Sequence, residues 1–251
     1  MTDFLLLTLF APFTSWGDIA VGESRGSWDR PSRSAVLGLV AAALGIERHD
    51  QPALNALDTD YGVAVRADVP GTALVDYHTT QTVSSSLVRK RQPATRAELL
   101  AMAERDTILS QRVYRQDALA TIALWMRKPS ARWTLEDLRA ALIRPRFVLY
   151  AGRKANAFGL PLNPAIVSSA TLAEALQSRG ASFGALPVLD MVAVAGPGSR
   201  EHEVSHDPCE GFSSGLRPLR RDVRRDVQTH RARWHFGERV VEVGTMPTEV
   251  T

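Results

Sequence analysis

Cysteine is nearly absent from this chain. Cys209 is the only one in 251 residues, so no disulfide can form within it and nothing points to an oxidising compartment. Lysine is almost as scarce: of 30 cationic residues only Lys90, Lys128 and Lys154 are lysine, and the rest are arginine. Long apolar runs are missing too, since nothing approaches the roughly 18 residues of a membrane span. The apolar stretch Phe4 to Phe13 follows Asp3 rather than basic residues and runs into Thr14-Ser15-Trp16-Gly17 without a small-residue cleavage site, unlike a signal peptide. The expectation is a soluble, cytoplasmic chain that makes no membrane contact. There is no Walker loop, no G-x-G-x-x-G after a strand, no G-x-S-x-G elbow and no H-E-x-x-H, and no cofactor is expected.

What is present is ordinary globular composition. Hydrophobic residues make up 45% and charged residues 23%, which supplies a sizeable core and excludes a disordered chain, a collagen and a disulfide scaffold. At roughly 150 residues per domain the length fits one large domain or two small ones. The formal charge is +3 and the pI about 9.3. Two accounts of the arginine excess stay open: codon bias in a GC-rich genome, or a need for planar, forked, always-charged groups against phosphates. Position adds information. Cations gather near residues 25 to 33, 87 to 115, 144 to 154 and 217 to 233, while Asp190, Glu201, Glu203, Asp207 and Glu210 against Arg200 make residues 186 to 215 acidic.

Phe4 to Phe10 reads as a buried central strand. Ser32 is placed to cap a helix that Gly45 ends, and its near-continuous apolar surface predicts packing against a sheet. Residues 61 to 69 alternate with period two, as a half-buried strand does, and Pro70-Gly71 turns the chain into a second strand at 73 to 81. From Val83 to Arg115 the chain is Ser-rich, basic and poor in core residues, with a short helix expected within Thr95 to Arg105. An insertion this long in a compact domain is functional or mobile. Leu119 to Met126 reads as a strand, Leu135 to Ile143 as a helix capped by Thr134, Thr171 to Leu176 as a short helix, and 216 to 243 as Arg-rich strands. The alternation suggests an α+β, ferredoxin-like or RRM-like palm over 1–144, with a smaller β-rich region at 145–251.

The strongest local constellation is Arg144-Pro-Arg-Phe-Val-Leu-Tyr-Ala-Gly-Arg-Lys154: cations alternate with aromatics and no anion is present. Guanidinium groups hold phosphates while rings stack on splayed bases, so this suits single-stranded RNA; a buried strand with solvated basic ends reads the same way. Gly152 would let a backbone approach a phosphate closely. Arg30, Arg33 and Ser34 sit where a helix begins, with Arg25 on the loop before, so helix N–H groups would favour an anion there. His78 could act as a general acid or base in metal-independent RNA cleavage, although a lone strand histidine is more often a structural hydrogen-bonder. His202, His206 and Cys209 lack an evident fourth ligand, and no metal site is assigned.

Several motifs together resemble a known family. Leu-x-Leu-x-x-Pro-Phe-Thr-Ser-Trp-Gly at the start, Arg30-Pro-Ser-Arg-Ser-Ala-Val-Leu-Gly-Leu-Val with Leu44-Gly-Ile46, Asp76-Tyr-His-Thr79, Ile108-Leu-Ser-Gln-Arg-Val-Tyr114 and Arg144-Pro-Arg-Phe-x-x-Tyr-x-Gly-Arg-Lys154 occur in the order of the CasD family. That family is the type I-E Cascade subunit of CRISPR systems, within the repeat-associated (RAMP) superfamily. The resemblance covers about residues 3 to 165. It implies an RRM-like palm, a protruding thumb hairpin at about 82–114 and a smaller β-rich C-terminal part. It further implies a non-catalytic subunit that binds the 5′ handle of crRNA, caps the backbone filament in antiviral defence, and meets the large, backbone and small Cascade subunits. Target DNA is reached only through the complex. The residues it implies at the RNA are Arg30, Arg33, Ser34, His78, Thr79, Tyr150, Gly152, Arg153 and Lys154 together with the basic thumb; charge and position add Arg25, Arg89, Lys90, Arg91, Arg112 and Arg146 as candidates. Relatives in another subtype cut RNA, so a metal-independent endoribonuclease is the alternative. Ala35 departs from the glycine often found in the family at that position.

Overall fold

The computed structural model describes residues 1–17, 20, 22–102, 105–180, 201–230 and 235–247. Arg231, Arg233, Asp190, Arg200 and Glu104 of the charged stretches lie outside these residues.

One nine-stranded sheet organises the chain. Its centre is β7 (Asp106–Met126), a 21-residue strand flanked by β1 (Thr2–Thr14) and β5 (Tyr61–Val69), both antiparallel to it. β8 (Ala165–Ser169) lies outside β1; beyond β5 come β9 (Glu201–His206), β11 (His235–Pro247) and β10 (Arg217–His230). Strands from both sides of residue 144 thus share one sheet. Two short strands, β2 (Trp16–Gly17) and β4 (Ser27–Trp28), pair separately, and β3 (Ser24–Arg25) joins β7 in parallel.

Helix α1 (Arg33–Leu44) forms between the two signals that its sequence carries. Ser32 accepts the N–H of Ala35, and Gly45 at φ 76 ends the helix with its N–H on the carbonyls of Ala41 and Ala42. α1 and α5 (Leu135–Ile143) cover one face of the sheet, against Leu5, Leu7, Leu9, Ile122 and Leu124, with Leu57 of α2 (Gln51–Asp60) at the edge. Thr134 and Asp137 form a reciprocal cap on α5. On the opposite face α6 (Leu172–Gly180) packs on Phe4, Leu6 and Trp125, and Phe212 meets both aromatic rings edge-on. Both faces being covered explains why β5 is buried along nearly its whole length, although its period-two pattern predicts a half-exposed strand.

Pro70-Gly71 does not fold β5 back on its successor. β6 (Thr72–Thr82) continues in line along the same side of β7, so the chain leaves the palm and runs out as one strand of a ribbon. The ribbon's last pair is Thr82 with Asp106, and its tip carries α3 (Ser85–Arg91) and α4 (Arg96–Ala101). β7 therefore holds palm and thumb together: residues 118 to 125 are buried in the palm, and 106 to 117 are at least partly exposed in the thumb.

Candidate nucleic-acid interface

Where the thumb leaves the palm, a cleft of about 520 Å³ opens between α1 and the loop after α5. Ser34, Gly38 and Ala42 give one wall, Val148 to Tyr150 with Gly152 and Arg153 another, and Ser15, Trp16, Arg25 and Phe236 close it. Small residues on α1 leave the space open. No carboxylate is among the described residues that line it. The structure thus gathers Arg25, Ser34, Tyr150, Gly152 and Arg153, which are far apart in sequence, around one volume.

The 144–154 segment is not a strand; it is an irregular loop held by specific bonds. Ser15 N–H donates to Ala151 O (3.1 Å), and Ala151 N–H to Asn156 O (2.8 Å). Gly152 sits at φ 87, and a Cβ there would lie 1.8 Å from Ser15 O, so the glycine is required by contact with the chain's own backbone. This fixes Arg153, whose guanidinium lies 4.4 Å from the Tyr114 ring centroid and is aimed at Val113 O (3.4 Å). Phe13 meets Tyr114 edge-on at 6.2 Å. Phe13 is exposed and Tyr114 partly so, and Tyr114 lies under the Arg153 that lines the cleft. The sequence reading missed them as site residues, although Arg112 and Tyr114 share a strand face by their spacing of two.

Along the thumb, Arg112 lies beside Arg25 in the β3–β7 register. Arg25 donates to the carbonyls of Gly22 (2.5 Å) and Ser24 (3.0 Å), and Arg112 stands directly across the ribbon from Asp76. His78 is half-buried and hydrogen-bonded to Asp76. Strand alternation puts His78 on the face of Arg112 and Tyr114, and Thr79 on the opposite face. Arg89, Lys90 and Arg91 form the last turn of α3, exposed and without ion pairs among the described residues. Lys154 is exposed beyond the cleft, and Arg146 stands on the outer side of the loop.

Arg30 and Arg33, expected at the RNA, are instead drawn inward. Arg33 is buried; Nε donates to Asp207 (2.8 Å), and its other groups reach Asp58 and the carbonyls of Asp58 and Tyr61. Arg30 is shared between Asp29 (2.8 Å) and Glu203 (2.6 Å). The positive end of α1 is also occupied, because the N–H of Arg33 donates to Asp226 on β10 (3.2 Å) and that of Ala35 to Ser32. The helix start holds the protein's own carboxylate rather than a site for phosphate.

Asp207 is the centre of this inward network. It accepts from Arg33, Arg127 (2.9 Å), Arg239 (2.7 Å) and the Val63 N–H (3.0 Å), and it is 1% exposed. Hydrogen bonds from Arg220, aided by Arg30 and opposed by burial, hold the Glu203 carboxyl down to about 2. His206 Nδ1 contacts the Asp207 carbonyl (2.8 Å) and lies 3.7 Å from Cys209 Sγ, and burial pushes the Cys209 thiol up to about 12. His202 is four strand residues from His206, about 13 Å along β9. No helix among the described residues is long and apolar enough to cross a membrane.

Comparison with known proteins agrees with this architecture. The chain is 33% identical over 170 residues to the CRISPR system Cascade subunit CasD of Escherichia coli (strain K12), covering 64% of this chain and 70% of that protein. A chain of a CRISPR RNA-guided surveillance complex superposes with a TM-score of 0.60 at 27% identity, over 98% of this chain and 90% of that one. A crystal structure of a Cas protein superposes at 0.59 with 23% identity, over 97% and 95%, and shares the fold. The profile of the CRISPR-associated protein (Cas_Cas5) family matches residues 4–242, and the chain belongs to that family.

Proposed function

We propose that this protein is a non-catalytic, RNA-binding subunit of a Cascade-type surveillance complex in the cytoplasm. It holds the 5′ handle of crRNA, caps the backbone filament beside the large, backbone and small subunits, and meets target DNA only through the complex. The supporting observation is the cleft: two arginines, exposed aromatic surface and a hydroxyl gather where no carboxylate competes for the cations. Phosphates fit Arg25 and Arg153, and an unstacked base fits Tyr150. Arg112, Lys154 and the α3 cations extend the surface along the thumb.

Replacing Arg153 and Lys154 together by alanine is expected to weaken binding of a handle RNA about tenfold, or about 1.4 kcal/mol. It should also flatten the log–log salt dependence by about 0.7 per lost phosphate contact. Unchanged affinity and slope would sink the assignment. The endoribonuclease reading draws on the His78–Asp76 pair, in which a carboxylate orients an imidazole. Precursor RNA incubated with the protein in EDTA is expected to stay intact; cleavage that disappears in His78→Ala would select the enzyme instead.

A further inference from the structure

The loop after α5 carries a second surface that RNA chemistry does not account for. Within residues 143 to 148, Ile143 is 52% exposed, Phe147 43% and Val148 84%. Exposed apolar clusters on soluble proteins mark interaction sites. These side chains are outward because the backbone beneath them is pinned. The N–H groups of Arg146 and Phe147 donate to Ala43 O (3.0 Å) and Ala42 O (3.2 Å), the last turn of α1. The Arg146 side chain lies across Gly45, where a Cβ would come within 2.2 Å of Arg146 Cδ. A surface fixed in advance loses little freedom on binding.

Beside it lies a recess of about 220 Å³, with an apolar wall of Gly38, Ala42, Ile46, Leu54 and Phe147 and a polar wall that includes Arg48, Asn55, Asp58 and Asp226. It has room for a bulky apolar side chain. Arg144 and Arg146 adjoin Ile143 and Phe147 in the chain, exposed and with no ion pair among the described residues, and no acid occurs from 143 to 154.

We propose that this face docks a segment of another protein, which inserts an apolar side chain into the recess and sets carboxylates against Arg144 and Arg146. A second copy pairing through this same segment meets the charge requirement badly, because residues 143 to 154 contain no acid to set against Arg144 and Arg146. RNA meets the apolar requirement badly: bases stack on rings, and the aliphatic Ile143 and Val148 offer none. Val148 also borders the RNA cleft, so the docked segment lies along the rim of that cleft.

The test starts from the complex made by co-expressing this chain with the large, backbone and small subunits and a handle RNA; in that respect it rests on the proposed function. The photo-crosslinker p-benzoyl-phenylalanine is placed at Ile143 or at Phe147. The expected result is a cross-link to a partner polypeptide, within a peptide holding Asp or Glu beside an apolar residue. A cross-link to RNA or to a second copy, or a complex without any cross-link, overturns the docking surface while leaving the handle reading intact. Failure of any complex to form overturns both. In a second measurement Ile143→Glu, exposed and so harmless to folding as judged by Tm, is combined with Arg144→Glu. Recovery of the partner is expected to fall at least tenfold, and unchanged recovery overturns the proposal.

Discussion

The β10–β11 hairpin and the cleft–thumb surface are both rich in arginine and use it in opposite ways. In the hairpin Arg217, Arg220, Arg221, Arg225 and Arg239 each meet a carboxylate, and Arg224 stacks 3.6 Å from the Trp28 ring centroid. At the cleft and along the thumb Arg25, Arg89, Lys90, Arg91, Arg153 and Lys154 meet none among the described residues. The difference lies in the acidic stretch: Glu201, Glu203 and Asp207 are spent on the hairpin and on Arg30, Arg33 and Arg127. Counting arginines therefore locates no binding surface. The lack of counter-charge does.

Three changes would break or sharpen that contrast. The largest effect belongs to Asp207→Asn, which leaves three arginines without their shared carboxylate in a buried place. It should cost about 3–5 kcal/mol of stability in urea unfolding, with handle affinity kept wherever the variant is folded. A loss below about 1 kcal/mol would show that the hairpin charges are as dispensable as surface pairs. Next, replacing Arg89, Lys90 and Arg91 by alanine should change stability by no more than about 0.5 kcal/mol yet lower the salt slope of handle binding by about 2. A thumb variant that loses stability but keeps its slope would reverse the roles of the two regions.

The smallest effect is acid dependence. Folded protein keeps Glu203 ionised to about pH 2, whereas its ordinary value is 4.5. Proton uptake on unfolding makes this contribution complete above pH 4.5 and progressively lost as pH falls to 2. Between pH 5 and pH 3 the urea midpoint of Glu203→Gln is expected to fall less than that of the parent. Equal falls would mean that other carboxylates carry the acid sensitivity.

Features legible in the sequence were those with local causes. Ser32, Gly45 and Thr134 bracket α1 and α5 because a cap is satisfied within a few residues. The apolar run of β1 and the palm half of β7 likewise declare their burial residue by residue. The inward turn of Arg30 and Arg33 was hidden, because their partners Glu203 and Asp207 lie 173 and 174 residues away. Likewise, Pro70-Gly71 signals a change of direction without saying which strand the next segment will join. At the cleft, cations and rings were readable in 144 to 154, but Tyr114 was not, since only the fold sets it under Arg153.

The unbroken course of β7 limits how this chain can vary through evolution. Everything beyond the Thr82–Asp106 pair closes the end of a ribbon, so residues can be gained or lost there without disturbing the palm. Lengthening the ribbon itself is more restricted. A single added residue between Asp117 and Tyr114 would turn every outer side chain of β7 to the opposite face, taking Tyr114 from Arg153 and Arg112 from its place beside Arg25. Descendants of this chain can therefore change thumb tips freely, but can change thumb length at its base only in even, matched steps.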